Sequence, residues 1–177
     1  FLGDAHVIKN KKRLDSLMHA VESVTLGGKL SLTSMGRYMN KTIKPRSKIQ
    51  AVNYLLGNGQ LYSERVGIYK AMNLMMCSNL KEINVIIDWS SLVSHETHLL
   101  RASLVTKTRS LVLYEELYPE SKLGNKEVHQ QFLQNLLMIF PSERKVTIIT
   151  DAGFKTDFFQ QVEALGWNYV GRLLTNM

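Results

Sequence analysis

Val146-Thr147-Ile148-Ile149-Thr150-Asp151 decides the fold through what stands on either side of it. The run is short and rich in β-branched residues, so it reads as a strand ending at Asp151. Before it, Val128, Phe132, Leu133, Leu136 and Leu137 form a helical stripe that stops ahead of Pro141. After it, Phe158, Phe159, Val162 and Leu165 stripe a second helix, with Gly166 as its C-terminal stop and Trp167 to Leu173 as the next strand. A strand entered through a crossover helix is expected to lie parallel to its neighbour.

Working back from that strand, Pro119 to Gly124 reads as a loop. Ser110 to Tyr114 and Leu99 to Val105 read as two strands joined by the polar link Thr106-Lys107-Thr108-Arg109, which suits a hairpin. Val85-Ile86-Ile87 is a short buried strand ending at Asp88. The order is β-β-β-α-β-α-β, with the first three strands expected antiparallel and the fourth parallel. That is an α/β fold with the mixed sheet order of the ribonuclease H-like class.

The first eighty residues have a different texture, an all-α one. Leu14, Leu17, Met18, Val21 and Val24 recur at helical spacing and end at Gly27-Gly28. Ser31 can cap a short helix running to Met39. Pro45 starts a third helix, where its missing donor is harmless, with Ile49, Val52, Leu55 and Leu56 inward and Gly57 near its end. A fourth is expected from about Leu61 to Met76, with Leu61, Ile68, Tyr69, Met72 and Met75 inward. The methionines at 72–76 read as core packing. The expected division is a helical region, 1–80, and a sheet region, 81–177.

Charge follows the same division. Residues 1–80 hold 12 Lys/Arg and 4 Asp/Glu, a net of +8; residues 81–177 hold 10 and 11, a net of −1. Such asymmetry points to a polyanionic partner for the N-terminal part, or else to a solvated basic surface. Arg37, Lys41, Lys44, Arg46 and Lys48 gather around the second and third helices, and Lys9, Lys11, Lys12 and Arg13 form another cluster. A single cysteine, Cys77, rules out an internal disulfide and a multi-cysteine zinc site. No apolar run approaches the ~18 residues of a spanning helix, so a membrane partner is not expected. Phe1 at the start, and Leu173–Met177 without a closing element, read as the ends of a piece of a longer protein.

Asp88 and Asp151 are the chemical candidates. Each is expected at the carboxyl end of its strand, where open α/β sheets gather their ligands. Carboxylates brought together repel, and a hard divalent cation such as magnesium relieves the repulsion through oxygen ligands. Alternatively, Asp88 caps the following turn and Asp151 opens the Asp151-Ala152-Gly153 turn. Among other residues, His95 and His98, three apart, suggest a metal pair or else flank a solvated link, the reading preferred because no third ligand is near in sequence; His129 reads as solvated on a helix face. Cys77 reads as a small core or helix-end residue, Trp89 as packing beside the site, and Lys155 as a solvated lysine or a phosphate contact.

Several short elements carry a resemblance. Ile87-Asp88-Trp89-Ser90, Leu100-Arg101-Ala102-Ser103 and Leu113-Tyr114-Glu115 are three of them. His129-Gln130-Gln131-Phe132-Leu133, Thr150-Asp151-Ala152-Gly153-Phe154-Lys155 and Leu165-Gly166-Trp167 are three more, and Gly36-Arg37 and Leu55-Leu56-Gly57-Asn58 extend the series into the first half. Together they resemble the DDE transposases of the insertion-sequence-four family over nearly the whole chain. The resemblance implies that Asp88 and Asp151 are the first two catalytic, magnesium-holding carboxylates. It implies strand nicking, hairpin formation and strand transfer, with manganese as a possible substitute metal. It further implies double-stranded DNA partners (transposon terminal repeats and target DNA), a homodimer in the synaptic complex, and a bacterial cytoplasmic, nucleoid-associated setting. Arg37, Lys41, Lys44, Arg46 and Lys48 would then contact DNA.

One departure stands out. In the family the third acid lies on a later helix within a Tyr…Arg…Glu…Lys signature, and no residue here matches it; Glu163 falls at the wrong point in the order. The chain is therefore expected to hold metal weakly and to lack activity by itself. A non-catalytic end-binding regulator is the alternative, and a ribonuclease H-like nuclease unrelated to transposition is a third reading.

Overall fold

The computed structural model describes residues 7–27, 29–92 and 96–172. The chain divides into two compact units, Phe1–Ala71 and Met72–Met177.

The first unit is helical: α1 (Lys11–Gly27), α2 (Leu32–Tyr38), α3 (Pro45–Leu56), α4 (Gly59–Ser63) and the start of α5 (Arg65–Cys77). Ser31 caps α2, its side chain accepting from the Ser34 N–H, and Pro45 opens α3. The core is Ala20, Met35, Met39, Val52 and Leu55, with Leu17, Val24 and Leu61 against it. Gly36 is where α2 meets α3: a Cβ there would stand 2.5 Å from the Ile49 side chain and 2.7 Å from its backbone. No larger residue permits that approach. The inward stripe of α1 is rotated from the expected one, since Met18 and Val21 are exposed while Ala20 and Ser23 are buried. Leu56 is exposed as well.

The single helix expected over Leu61–Met76 is two helices. Asn58 caps α4 by accepting from Gln60 and Leu61, and Glu64 ends it after one turn. The Glu64 carboxylate is gripped by Arg13, with Nε at 2.8 Å and Nη2 at 2.5 Å, and by the Lys9 N–H. That tertiary clamp overrides the continuous helical pattern. Met72 and Met75 are exposed, contrary to the core role expected of them, whereas Ala71, Asn73 and Cys77 are buried.

The second unit is a five-stranded sheet in the order β3-β2-β1-β4-β5. Its strands are β1 (Glu82–Ser91), β2 (Thr97–Val105), β3 (Ser110–Pro119), β4 (Lys145–Thr150) and β5 (Asn168–Gly171). β1, β2 and β3 are antiparallel neighbours; β4 pairs parallel with β1, and β5 parallel with β4. Helices α6 (Lys126–Ile139) and α7 (Thr156–Ala164) supply the crossovers. Ile83, Val85 and Ile87 alternate into the core with Leu100, Ala102, Leu113 and Ile148, joined by Phe132, Leu133 and Leu136 of α6 and Phe158 of α7. Leu137 is exposed rather than part of the stripe. The expected loop after Pro119 contains a 3₁₀ turn, Glu120–Lys122, and Gly166 ends α7 with a φ of +72°, a conformation open to glycine. Leu173, expected in the last strand, and His95 lie outside the described residues.

Candidate active site

Asp88 does not end its strand. β1 continues to Ser91 because β2 keeps pairing with it, Asp88 opposite Arg101 and Ser91 opposite His98. On its other edge the parallel ladder with β4 runs only from Glu82↔Lys145 to Ile86↔Ile149. Carrying that register two residues onward sets Asp88 opposite Asp151, on the face that alternates with Ile87. The two residues are not themselves paired: Asp88 lies within β1, and Asp151 follows the end of β4 at Thr150. Both aspartates are exposed to solvent.

The local turn fixes Asp151. Its Oδ1 accepts the Gly153 N–H at 2.9 Å, and a Cβ on Gly153 would lie 3.2 Å from that oxygen. Asp151 therefore does open the Asp151-Ala152-Gly153 turn; Asp88, inside a strand, does not cap one. Across the sheet from Asp88, Arg101 donates to Glu115 at 2.8 Å, which directs its charge toward β3. The donor set of Asp88 and Asp151 is all carboxylate oxygen, which fits magnesium or manganese. Among the described residues no group of three or more His, Cys, Asp or Glu could hold an ion. Glu163 is exposed on α7.

A buried polar layer lies on the other face of β1. Trp89 donates its indole N–H to His129 Nε2 at 3.0 Å. Its ring packs edge-on to Tyr118, with centroids 5.6 Å apart, confirming the packing role read for it. His129 stacks near Phe154 and Phe158, the residues that follow Asp151, at 5.3 and 5.2 Å. It is thus buried, not solvated, and burial pushes its pKa down to about 4. His98 is likewise buried, contrary to expectation: Ser91 Oγ meets its Nδ1 at 3.2 Å and Glu120 meets its Nε2. Beyond it Tyr114 and Tyr118 both donate to Glu116, and Asn135 donates to the Tyr114 hydroxyl. Spacing held the signal for both histidines. His129 lies at i, i+3, i+4 and i+7 with Phe132, Leu133 and Leu136, and His98 alternates with Leu100 and Ala102. Cys77 is buried, as a small core residue should be.

In the helical unit, Arg37 ends α2, while Lys44 and Arg46 flank the start of α3, and all three are exposed. Lys41 is half-buried. Lys48 is half-buried too, and its Nζ donates to the Met39 carbonyl at 2.9 Å, satisfying the C-terminus of α2. Arg13 belongs to the Glu64 clamp and is not a free cation for phosphate. No helix among the described residues is long and apolar enough to cross a membrane.

No protein-family profile and no curated protein matches the chain. Among solved structures, a chain of the Mos1 strand transfer complex is similar at 13% identity and a TM-score of 0.38. The similarity covers 93% of this chain and 59% of that one, so this chain spans less than two thirds of the length of the chain it matches.

Proposed function

We propose that the chain is the DNA-binding region and part of the ribonuclease H-like catalytic domain of a DDE transposase, of the insertion-sequence-four type and most like the insertion-sequence-ten enzyme. The observation that carries this reading is the parallel pairing of β1 with β4, whose ladder ends at Ile86↔Ile149, two residues short of Asp88 on one strand and of Asp151 on the other. The strand order and the Asp-Trp-Ser and Asp-Ala-Gly-Phe-Lys elements support it.

Divalent magnesium, when bound, neutralises charge on the scissile phosphate and lowers the cost of forming an attacking oxygen. Asp88 and Asp151 would hold it through carboxylate oxygens. The Gly153 N–H aims the Asp151 carboxylate, and the Trp89–His129 bond braces β1 directly beside Asp88. Arg37, Lys41, Lys44 and Arg46 would bind the terminal-repeat duplex, with Lys48 sharing its ammonium between Met39 and phosphate. Each step, from nicking through hairpin formation to strand transfer, then becomes positioning plus electrostatic stabilisation.

DNA binding is tested by reversing Arg37, Lys44 and Arg46 to Glu. Affinity for duplex DNA should fall more than about tenfold, and the salt slope of log K should flatten by roughly 0.9 for each phosphate the variant no longer neutralises. Unchanged affinity at low salt would reject this surface. A second reading, a regulator that occupies transposon ends without cleaving them, is favoured by the lack of a three-acid group among the described residues. A reading frame that continues beyond codon 177 into a Tyr…Arg…Glu…Lys signature supports the enzyme; a stop codon there supports the regulator.

A further inference from the structure

A cavity of about 420 Å³ lies where the N-terminal ends of α6 and α7 meet, beside the Asp151 turn. Lys126, His129, Gly153, Lys155, Asp157 and Phe158 are among its walls. Gly153 is common to both places: it lines the cavity, and its N–H holds Asp151.

The hydrogen-bonding state of His129 follows from its partner. An indole N–H only donates, so the Trp89 bond occupies the His129 Nε2 lone pair. Neutral imidazole then carries its proton on Nδ1. The depressed pKa of His129, caused by burial, keeps the ring in that neutral form at pH 7. His129 is only 6% exposed, and Nδ1 finds no hydrogen-bond partner among the described residues. The ring therefore offers the cavity a donor that no described residue pairs.

The other walls have the same polarity. Lys155 stands at the N-cap of α7 and no side chain caps that end, so the Thr156 and Asp157 N–H groups lack an intrahelical partner. The positive end of the α7 dipole adds to them. Two ammonium groups line the cavity against one carboxylate, and that carboxylate, on Asp157, lies 3.2 Å from Lys126 Nζ. Donors exceed acceptors, and Phe158 supplies an apolar wall. The space exceeds what a lone phosphate fills and is within the range of pockets that take a whole small ligand.

We infer that this cavity binds a phosphodiester group of a nucleic-acid strand, with His129 Nδ1–H, the first-turn amides of α7 and Lys155 as donors. The inference rests on the function proposed above and adds to it a seat for the strand next to the scissile position.

The test uses the full chain labelled with ¹⁵N, without divalent metal, titrated with inorganic phosphate and separately with a short single-stranded DNA. Both probes should shift the His129 ring N–H and the 156–158 amides, and the DNA should bind at least about tenfold more tightly than phosphate. Lys155→Ala and Lys126→Ala, exposed positions that leave the core intact, should each weaken DNA binding severalfold. His129→Gln, which keeps both an acceptor for Trp89 and a donor for the cavity, should bind nearly as wild type, whereas His129→Phe should not. Asp88→Asn/Asp151→Asn should retain the phosphate shifts, so the cavity is read separately from the two carboxylates. Absence of shifts at His129 and 156–158 with both probes would overturn the inference, and phosphate binding as tightly as DNA would overturn its nucleic-acid assignment.

Discussion

The two units treat polar groups in opposite ways. The helical unit surrounds a small apolar core with exposed cations, and few of its polar side chains are buried. The sheet unit draws polar side chains inside: Asn73, His98, His129, Asn135 and Thr150 are all buried there. Charge displayed on a surface recognises a polyanion at long range and loses strength with salt. Hydrogen bonds held inside a sheet fix geometry to fractions of an ångström, which is what a pair of metal-holding carboxylates requires. Under the function proposed above, the first arrangement would serve to find DNA and the second to hold it in register for chemistry.

The sharpest way to break this contrast is in the packing. Phe132→Ala, fully buried on α6, should cost about 3–5 kcal/mol in urea unfolding, while exposed Leu137→Ala on the same helix should stay within about 0.5 kcal/mol. In the helical unit the comparable lesion is Gly36→Ala, which forces α2 away from Ile49 and should cost about 1–3 kcal/mol.

Acid distinguishes the units further. The pKa of His129 is lowered to about 4 by burial, against about 6.5 in an unfolded chain, so between those values the unfolded state binds the extra proton. Stability should therefore fall as pH drops from about 6.5 to about 4, by at most about 1.4 kcal/mol per pH unit, and His129→Gln should remove that slope. In the helical unit the Arg13 hydrogen bond holds the Glu64 carboxyl below its ordinary value. Its stabilisation is intact above about pH 4.3 and should disappear only as pH falls through the lowered pKa. Unfolding curves for wild type, His129→Gln and Glu64→Gln across this range check both windows.

Helix caps give the smallest contrast. Asn125 accepts from Glu127 and Val128 at 2.9 and 3.2 Å, so Asn125→Ala should cost about 1 kcal/mol. Ser31 accepts a single bond at 3.3 Å, so Ser31→Ala should cost less.

Much of this was legible in the residues. Ser31, Pro45 and Gly166 marked helix ends, and the helices around Val146–Thr150 indicated a parallel neighbour, because caps and periodicity act locally. The break at Glu64 was not legible, since Arg13, distant in sequence, makes it. The extension of β1 past Asp88 was hidden for a similar reason: only pairing with β2 sustains the strand there. His129 and His98 were misplaced by residue type. Their spacing matched buried neighbours, but a polar ring enters a core only when partners such as Trp89 and Glu120 await it, and those partners come from other elements. Lys48 looked like any surface cation until the Met39 carbonyl claimed its ammonium.

The central claim is that Asp88 and Asp151 form one divalent-metal site. Manganese added to the ¹⁵N-labelled chain should broaden the amide signals around both Asp88 and Asp151, and Asp88→Asn should abolish the broadening at Asp151 as well as at position 88. Broadening that persists at Asp151 in Asp88→Asn, or that centres on other residues, would contradict a shared site.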